Sequence, residues 1–387
     1  MDYIMHIVVV GSGIVGSSVA YECAKAGARV TIFDSGRLAG GASAVSFAWT
    51  NATTKTPRSY FALNVAGMRA HLELKRDFGD VPWFVQTGSL EWRTTAPGLS
   101  QQREEFKQLQ EWGYAVEWID ENDLARIEPD IDVSAVGGAP VAYYPEEGWV
   151  DPVLYSASLL RKASARWNTI VRLNQPVAAV ETHNGQVKGV RTAPGELVAA
   201  DVVINCTGSF SDRALGSVPA VPMASTIGVL AFTLPMGLTL RRQFHADDLD
   251  VRPDGAGRLM IHKVSVDQTL SEAKQLQPGG DEATTLLEAA RRVVPALNSG
   301  SIEAIRTTVR PVPRDGYTCA GPMPDVAGYY AVVTHSGVTL APFLGRAMAD
   351  EIIRGKMRQE LETFRPARFF APDSGFGRRK AANAVPA

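Results

Sequence analysis

The sequence predicts an α/β protein. A parallel, dinucleotide-binding unit is interleaved along the chain with an α+β portion built on a mixed or antiparallel sheet. Three observations predict it. Residues 6–34, HIVVVGSGIVGSSVAYECAKAGARVTIFD, read as strand, glycine turn, helix, strand and terminal acid. Apolar runs at Val202–Asn205 and Tyr329–Val333 each end in a tight turn, Cys206-Thr207-Gly208 and Thr334-His335-Ser336-Gly337. Amphipathic helical stretches at Gln101–Trp112 and Ala283–Val293 fall in the intervening segments.

The first unit is the most specific. His6–Val10 reads as a buried parallel strand, and Gly11, Gly13 and Gly16 follow it as GxGxxG. Gly11 permits a tight turn, Gly13 lets the backbone approach a pyrophosphate, and Gly16 lets helix pack close on strand. Ser12, Ile14 and Val15 complete the turn. The helix runs from about Ile14 to Ala26 with Val15, Val19 and Cys23 at four-residue spacing, and Gly27 suits its C-terminal cap. Ala28–Phe33 is the second strand and Asp34 its terminal acid, placed to accept adenosine ribose hydroxyls while the helix N-terminus holds phosphates. This context, strand before and helix after, makes the unit Rossmann-like.

Farther along, Pro176–Val180, Val187–Arg191 and Glu196–Val198 read as short strands joined by Asn184-Gly185 and Pro194-Gly195 turns. Leu340–Ile353 reads as a helix with Pro342 in its first turn, where a missing N–H costs little. The 387 residues suggest two or three domains, and 45% hydrophobic with 21% charged residues is a globular composition. A net charge of -2 without a long basic run argues against nucleic acid as a partner. Cys23, Cys206 and Cys319 are far apart and show no metal spacing, so no metal site is expected. Their odd number points to a reducing, cytoplasmic setting. No signal peptide is visible and no apolar run is long enough for a transmembrane segment. Peripheral membrane contact stays open.

After Asp34 the run SGRLAGGASAVSFAWTN is small and Gly-rich, suited to lie along an extended cofactor. Gly40, Gly41, Ala42 and Ser43 would let backbone amides reach a pyrophosphate and ribityl chain, Ser35 is a further candidate contact, and Arg37 would sit near adenosine or phosphates. No second nucleotide fingerprint is present: Gly137-Gly138 and Gly255–Gly257 lack the strand–turn–helix context. If the cofactor is FAD, electrons therefore come from an organic substrate.

Four blocks in order carry a resemblance: GSGIVG…IFD with GGAS, GWVDP at Gly148–Pro152, DVVINCTG at Asp201–Gly208, and VRPVPRDGYTCAGPMPDVAGYYAVVTHSGVTLAP at Val309–Pro342. The chain resembles the FAD-dependent amine and amino-acid oxidoreductases that include D-amino-acid oxidase, glycine oxidase and sarcosine oxidase. The resemblance implies an FAD-binding domain formed by 1–85, 150–220 and 320–375, a substrate domain formed by 86–149 and 221–319, and a flexible tail at 376–387. It places Thr207 and Gly208 against the cofactor and the main chain of Val177 at the adenine. It sets Ser336, Gly337, Val338 and Thr339 at the flavin pyrimidine, where a helix N-terminus would favour the anionic reduced ring. Arg310, in its Arg-Pro pair, would grip a substrate carboxylate, with a structural ion pair as the competing reading. Trp49 and Asn51 would line the other wall, and His262, in GRLMIH, would face the pocket or be a satisfied strand histidine. His335 reads as a turn residue satisfied by backbone.

Two departures shape the expected chemistry. The lysine that promotes oxygen reaction in sarcosine-oxidase-like members is replaced by Met260, with Lys263 three positions on, which favours a dehydrogenase over an oxidase. Neither covalent anchor is present: Arg306-Thr307-Thr308-Val309 holds no cysteine, and Ala44 and Val45 stand where a histidine would follow GGAS. FAD is expected to be noncovalent. The implied reaction is hydride transfer from a small carboxylate-bearing amine to flavin N5, giving an imine that hydrolyses, with oxygen, a quinone or a redox protein as electron acceptor. The alternatives are 2-hydroxy-acid oxidation on the same scaffold and a flavin subunit of a larger electron-transfer complex.

Overall fold

The computed structural model describes residues 4–371; the tail at 376–387 lies outside them. Its organising element is a six-stranded sheet in the order Cys319–Pro322, Tyr329–Val333, Val202–Asn205, His6–Val10, Arg29–Phe33, Ile170–Arg172. All neighbours are parallel except the edge strand Cys319–Pro322. The central strand His6–Val10 is buried on both faces, as a parallel strand covered on both sides must be. Its alternation divides the core. Ile7 and Val9 pack into the cluster that includes Val19, Tyr155 and Leu344 from the covering helices. Val8 and Val10 face Val180, Val187 and Val190 of a three-stranded antiparallel sheet, Val177–His183, Gln186–Thr192 and Leu197–Ala199.

Close approach of backbones explains the glycines. Gly11 has φ 105°, and a Cβ at Gly16 would lie 1.9 Å from Gly11 O. The helix Ile14–Lys25 also meets the long helix Gly337–Arg354, where a Cβ at Gly345 would lie 2.6 Å from Ser18 O. That second helix starts three residues before the sequence suggests, so Pro342 is inside it rather than in its first turn. Proline removes the hydrogen bond to the carbonyl four residues back, here Val338 O. The buried His71 supplies the missing donor, its Nε2 lying 2.8 Å from that oxygen.

A second sheet has eight strands in the order Ile302–Val309, Ile227–Thr233, Leu259–Lys263, Leu249–Pro253, Gln243–Ala246, Ser89–Trp92, Val141–Tyr144, Glu117–Ile119. It is mixed: every pairing is antiparallel except Gln243–Ala246 beside Ser89–Trp92. Its flanking helices are Ala96–Glu111, begun by the Thr95 cap, and Asp281–Arg291. Each begins before the predicted span: the Thr95 cap, not apolar spacing, sets the start of the first, and the second follows Gly280 without a side-chain cap. Between the sheets, Trp49–Thr50, Gly148–Val150 and Phe84–Val85 form a small antiparallel sheet with Trp49 opposite Trp149. Asp151 then caps the helix Pro152–Trp167 through Val153 N and Leu154 N, both at 2.9 Å. No described helix is long and apolar enough to cross a membrane.

Candidate active site

The nucleotide end is built from backbone held by one carboxylate. Asp34 Oδ2 accepts hydrogen bonds from Ser12 N at 2.7 Å and Ser12 Oγ at 2.8 Å, and Oδ1 accepts from Gly36 N at 2.9 Å. The Gly13 cap of the first helix has no side-chain cap of its own, and no acid occupies the first turn. Ser43, in the short helical turn Ala42–Val45 that follows Gly41, reaches across and accepts from Ile14 N at 3.0 Å. The Gly-rich loop thereby crosses the helix N-terminus beside Val15. Ser35 and Arg37 are exposed next to it. On the neighbouring strand, Asn205 Oδ1 accepts from Thr207 N and Thr207 Oγ1, which fixes the turn where Gly208 has φ 62°. Val177 begins its strand, half-buried.

The other end is a cavity of about 290 Å³ lined by Trp49, Asn51, Lys55, His262, Arg310 and His335, with Ser336, Val338 and Thr339 at the start of the long helix. That helix also starts with neither a side-chain cap nor an acid in its first turn. Gly337 opens it; Ser336 Oγ pairs with Tyr60 at 2.8 Å. Thr339 Oγ1 accepts from Asn51 N at 3.3 Å and donates to Trp49 O at 3.2 Å, tying the cavity wall to the helix end. Two helix N-termini without an acid in their first turns, the first met only by the neutral Ser43 hydroxyl, are an arrangement for anionic groups.

Charged side chains in the cavity form a chain. His262 Nδ1 lies 2.6 Å from Asp250 Oδ2 and its Nε2 lies 2.8 Å from Asp267 Oδ2. Asp250 Oδ1 lies 2.7 Å from His245 Nδ1, and the His245 ring stacks on Trp49 at 3.9 Å. Burial works against charge on His262, but its bonds to the two carboxylates outweigh that and lift its pKa to about 9. His262 is therefore an imidazolium with both ring N–H groups committed. It faces the cavity without a free lone pair for base chemistry. Burial likewise pushes Asp250 up, and the two histidines reverse this and hold its carboxyl well below the usual range.

Arg310 lines the cavity, and its Nη2 is paired with Asp267 Oδ2. The internal ion pair, the competing reading of this residue, is present, and the guanidinium also lies on the cavity wall. The 3.0 Å between Nη2 and His262 Nε2 brings two donors together around the shared acceptor Asp267. His335 differs from its predicted role. Its ring opens to the cavity and makes no hydrogen bond to a described residue. Desolvation by the cavity walls, then the charges of Lys55 and Arg310, push its pKa down to about 4.

Lys55 and Glu147, like Asp250, Asp267 and His245, escaped the sequence reading. Lys55 stands on the cavity wall. Glu147, one residue before GWVDP, is fully buried and gathers Trp49 Nε1, Thr53 Oγ1, Tyr114 OH and Ser89 Oγ as donors, at 2.8, 2.6, 2.7 and 2.5 Å. Burial raises its pKa against the hydrogen bonds from Ser89, Thr53 and Tyr114. Nothing in local sequence marks this acid, because its partners come from residues 49–114. Met260 is buried with Leu230 and Phe232, and Lys263 is paired with Asp248.

A family model described as FAD dependent oxidoreductase matches residues 6–351. The chain belongs to this family of FAD-dependent oxidoreductases. It is 24% identical over 377 residues to a glycine oxidase of Geobacillus kaustophilus, covering 94% of this chain and 97% of that one. It is likewise 24% identical to mitochondrial dimethylglycine dehydrogenase of Rattus norvegicus, of which the match spans 44%. Among solved structures, the glycine oxidase from Geobacillus kaustophilus superposes with a TM-score of 0.80 at 21% identity, over 93% of this chain and 98% of that one. L-proline dehydrogenase from P. horikoshii superposes with a TM-score of 0.82 at 19% identity, over 96% and 99%. FAD suits the donor set described above. Its diphosphate and its electron-rich reduced ring each call for an acid-free helix N-terminus, and this oxidoreductase has one at each end of the site.

Proposed function

We propose that the enzyme oxidises the C–N bond of a small amino acid or secondary amine carrying a carboxylate. The observation that carries this reading is the charge of the cavity. Asp250 and Asp267 pair with the His262 imidazolium and Arg310, and Glu147, the acid in the field of Lys55, has both oxygens bound by four other donors, so the Lys55 ammonium on the cavity wall is left for one substrate anion. The names of relatives, glycine oxidase and dimethylglycine dehydrogenase, support an amine as the group oxidised.

FAD, held noncovalently, would supply two-electron oxidation of the substrate C–N bond, and water would hydrolyse the product. The chain's own residues bind and orient. Gly11, Ser12, Gly13, Ile14, Val15 and Gly16 with Asp34 hold the adenosine diphosphate, joined by Ser35, Arg37, Gly41, Ala42, Ser43, Val177, Thr207 and Gly208. Ser336, Gly337, Val338 and Thr339 present the second helix N-terminus to the ring. Trp49, fixed by Glu147 and His245, forms an apolar wall, and Asn51 offers an amide. His335, neutral at physiological pH, adds no positive charge beside the substrate amine. Residues 1–85, 150–220 and 320–375 serve the cofactor, and 86–149 with 221–319 the substrate. Three buried thiols support a cytoplasmic setting.

Electrons leave to a quinone or redox protein in preference to oxygen, a reading supported by buried Met260 and paired Lys263. Anaerobic mixing of the yellow holoenzyme with D-amino acids, N-methylglycine and other secondary amine acids tests the first claim by bleaching of the flavin. Bleaching by 2-hydroxy acids alone would replace it with hydroxy-acid oxidation. Rapid mixing of reduced enzyme with air-saturated buffer and with a quinone analogue tests the second, and fast reoxidation by oxygen would reverse it.

A further inference from the structure

We infer that Lys55, not Arg310, carries the charge that anchors the substrate carboxylate; this rests on the reading of the substrate given above. Arg310 is already neutralised. Its Nη2 is bound to Asp267, and its Nε lies over Gly228, where a Cβ would come within 2.8 Å of it. Binding a second carboxylate there would set two anions on one guanidinium, one of them fixed and nearly buried.

Lys55 is in the opposite condition. It sits in the loop between the strand Trp49–Thr50 and the helix Arg58–Phe78, half-buried on the cavity wall. Its ammonium has no hydrogen bond or ion pair with any described residue. The nearest acid in its field is Glu147, whose two oxygens are taken up by four other donors. The Asn51 side-chain amide, on the same wall, also has no partner among the described residues. Both groups open on the cavity with their donors unused by any described residue, so an entering anion would meet an ammonium and an amide together. Both groups point to an anion supplied from outside the chain. Burial accordingly holds the Lys55 pKa below its ordinary value, a shift that an entering carboxylate would reverse.

The test is titration of FAD-loaded enzyme with benzoate and with acetate, two carboxylates that cannot be oxidised here. Binding is followed by the flavin absorption change and by calorimetry. Lys55→Met should weaken benzoate binding by about 30-fold, the range of a charge-assisted hydrogen bond. Lys55→Arg should stay within about threefold of the native protein. Arg310→Lys should cost less than Lys55→Met. Equal benzoate affinity in Lys55→Met and native enzyme overturns the inference, as does a larger loss in Arg310→Lys. So does a Lys55→Met protein whose ligand-free flavin spectrum shifts while benzoate affinity holds, since the ammonium would then address the cofactor. Because benzoate binding needs no turnover, absence of bleaching by every amine would remove the proposed reaction and leave this assignment standing.

Discussion

The two ends of the site are built on different principles. At the nucleotide end the contacts are main-chain groups, and one acid, Asp34, organises them over a sequence separation of 22 residues. At the cavity end the contacts are side chains that satisfy one another across the whole chain, such as Trp49 with Glu147 and Arg310 with Asp267. Backbone sites tolerate most side-chain changes but no loss of glycine. Side-chain sites respond to single charges.

The largest expected effect follows from that contrast. Gly16→Ala would set a Cβ 1.9 Å from Gly11 O and 3.2 Å from Cys206 Cβ, and backbone cannot yield as a flexible side chain does. A loss of about 3 kcal/mol or more in stability is expected, together with loss of FAD on gel filtration. Retention of the yellow colour with native urea midpoint would show that the close approach is not needed.

Asp267→Asn tests the other end. It leaves the His262 imidazolium and Arg310 with one fewer carboxylate, at a cost of about 3 kcal/mol by denaturant titration. The same change frees Arg310, so benzoate should bind several-fold more tightly to the variant, in contrast to Lys55→Met. Weaker benzoate binding in Asp267→Asn would mean that Asp267 orients Arg310 for the ligand instead of withholding it.

The pH dependence tests the cavity end from two sides. The His262 pKa is raised to about 9 in the folded protein from an ordinary 6.5. Its contribution, on the order of 3 kcal/mol, is fully present below pH 6.5 and is lost as pH rises through 9. His71, near the helix end, is shifted in the opposite direction by burial, to about 4. The folded state then binds fewer protons than the unfolded one, so stability declines as pH falls from 6.5 toward 4. Thermal unfolding of native protein and Asp267→Asn between pH 4 and pH 10 should show the alkaline decline flattened in the variant and the acid decline unchanged.

The same contrast explains what could be read from the sequence. Strand, turn, helix and acid at 6–34 are local, and each residue type there has one physical reason to stand where it does. The mixed eight-stranded sheet was legible only as a class, because its order joins strands from 89–144 to strands from 227–309. In the cavity, Arg310, Asn51, Trp49 and His262 were legible as wall residues. Their pairing was not, since Asp250 and Asp267 look like any surface acids. Lys55 was missed because a lysine in a polar loop, TTKTPRS, has no local sign of burial; only the packing of Glu147 with its four donors shows that the lysine lacks a counter-ion.

The smallest expected effect sits behind the cavity end, at the start of the long helix. His71 stacks on Phe84 and satisfies Val338 O, the carbonyl that Pro342 leaves bare in the first turns of the long helix. Its Nδ1 has no partner, so the ring is the neutral tautomer with hydrogen on Nε2. His71→Leu would keep the apolar packing and remove the donor, leaving one buried carbonyl unpaired at a cost of about 1–2 kcal/mol. His71→Gln can restore a donor and should recover part of that loss. The helix N–H groups that face the cavity are not touched by either change, so benzoate affinity and the flavin spectrum should hold within about twofold while the denaturation midpoint falls. A spectral shift in His71→Leu would show instead that the helix end moves when Val338 O is released, and the proline would then be part of how the site is positioned.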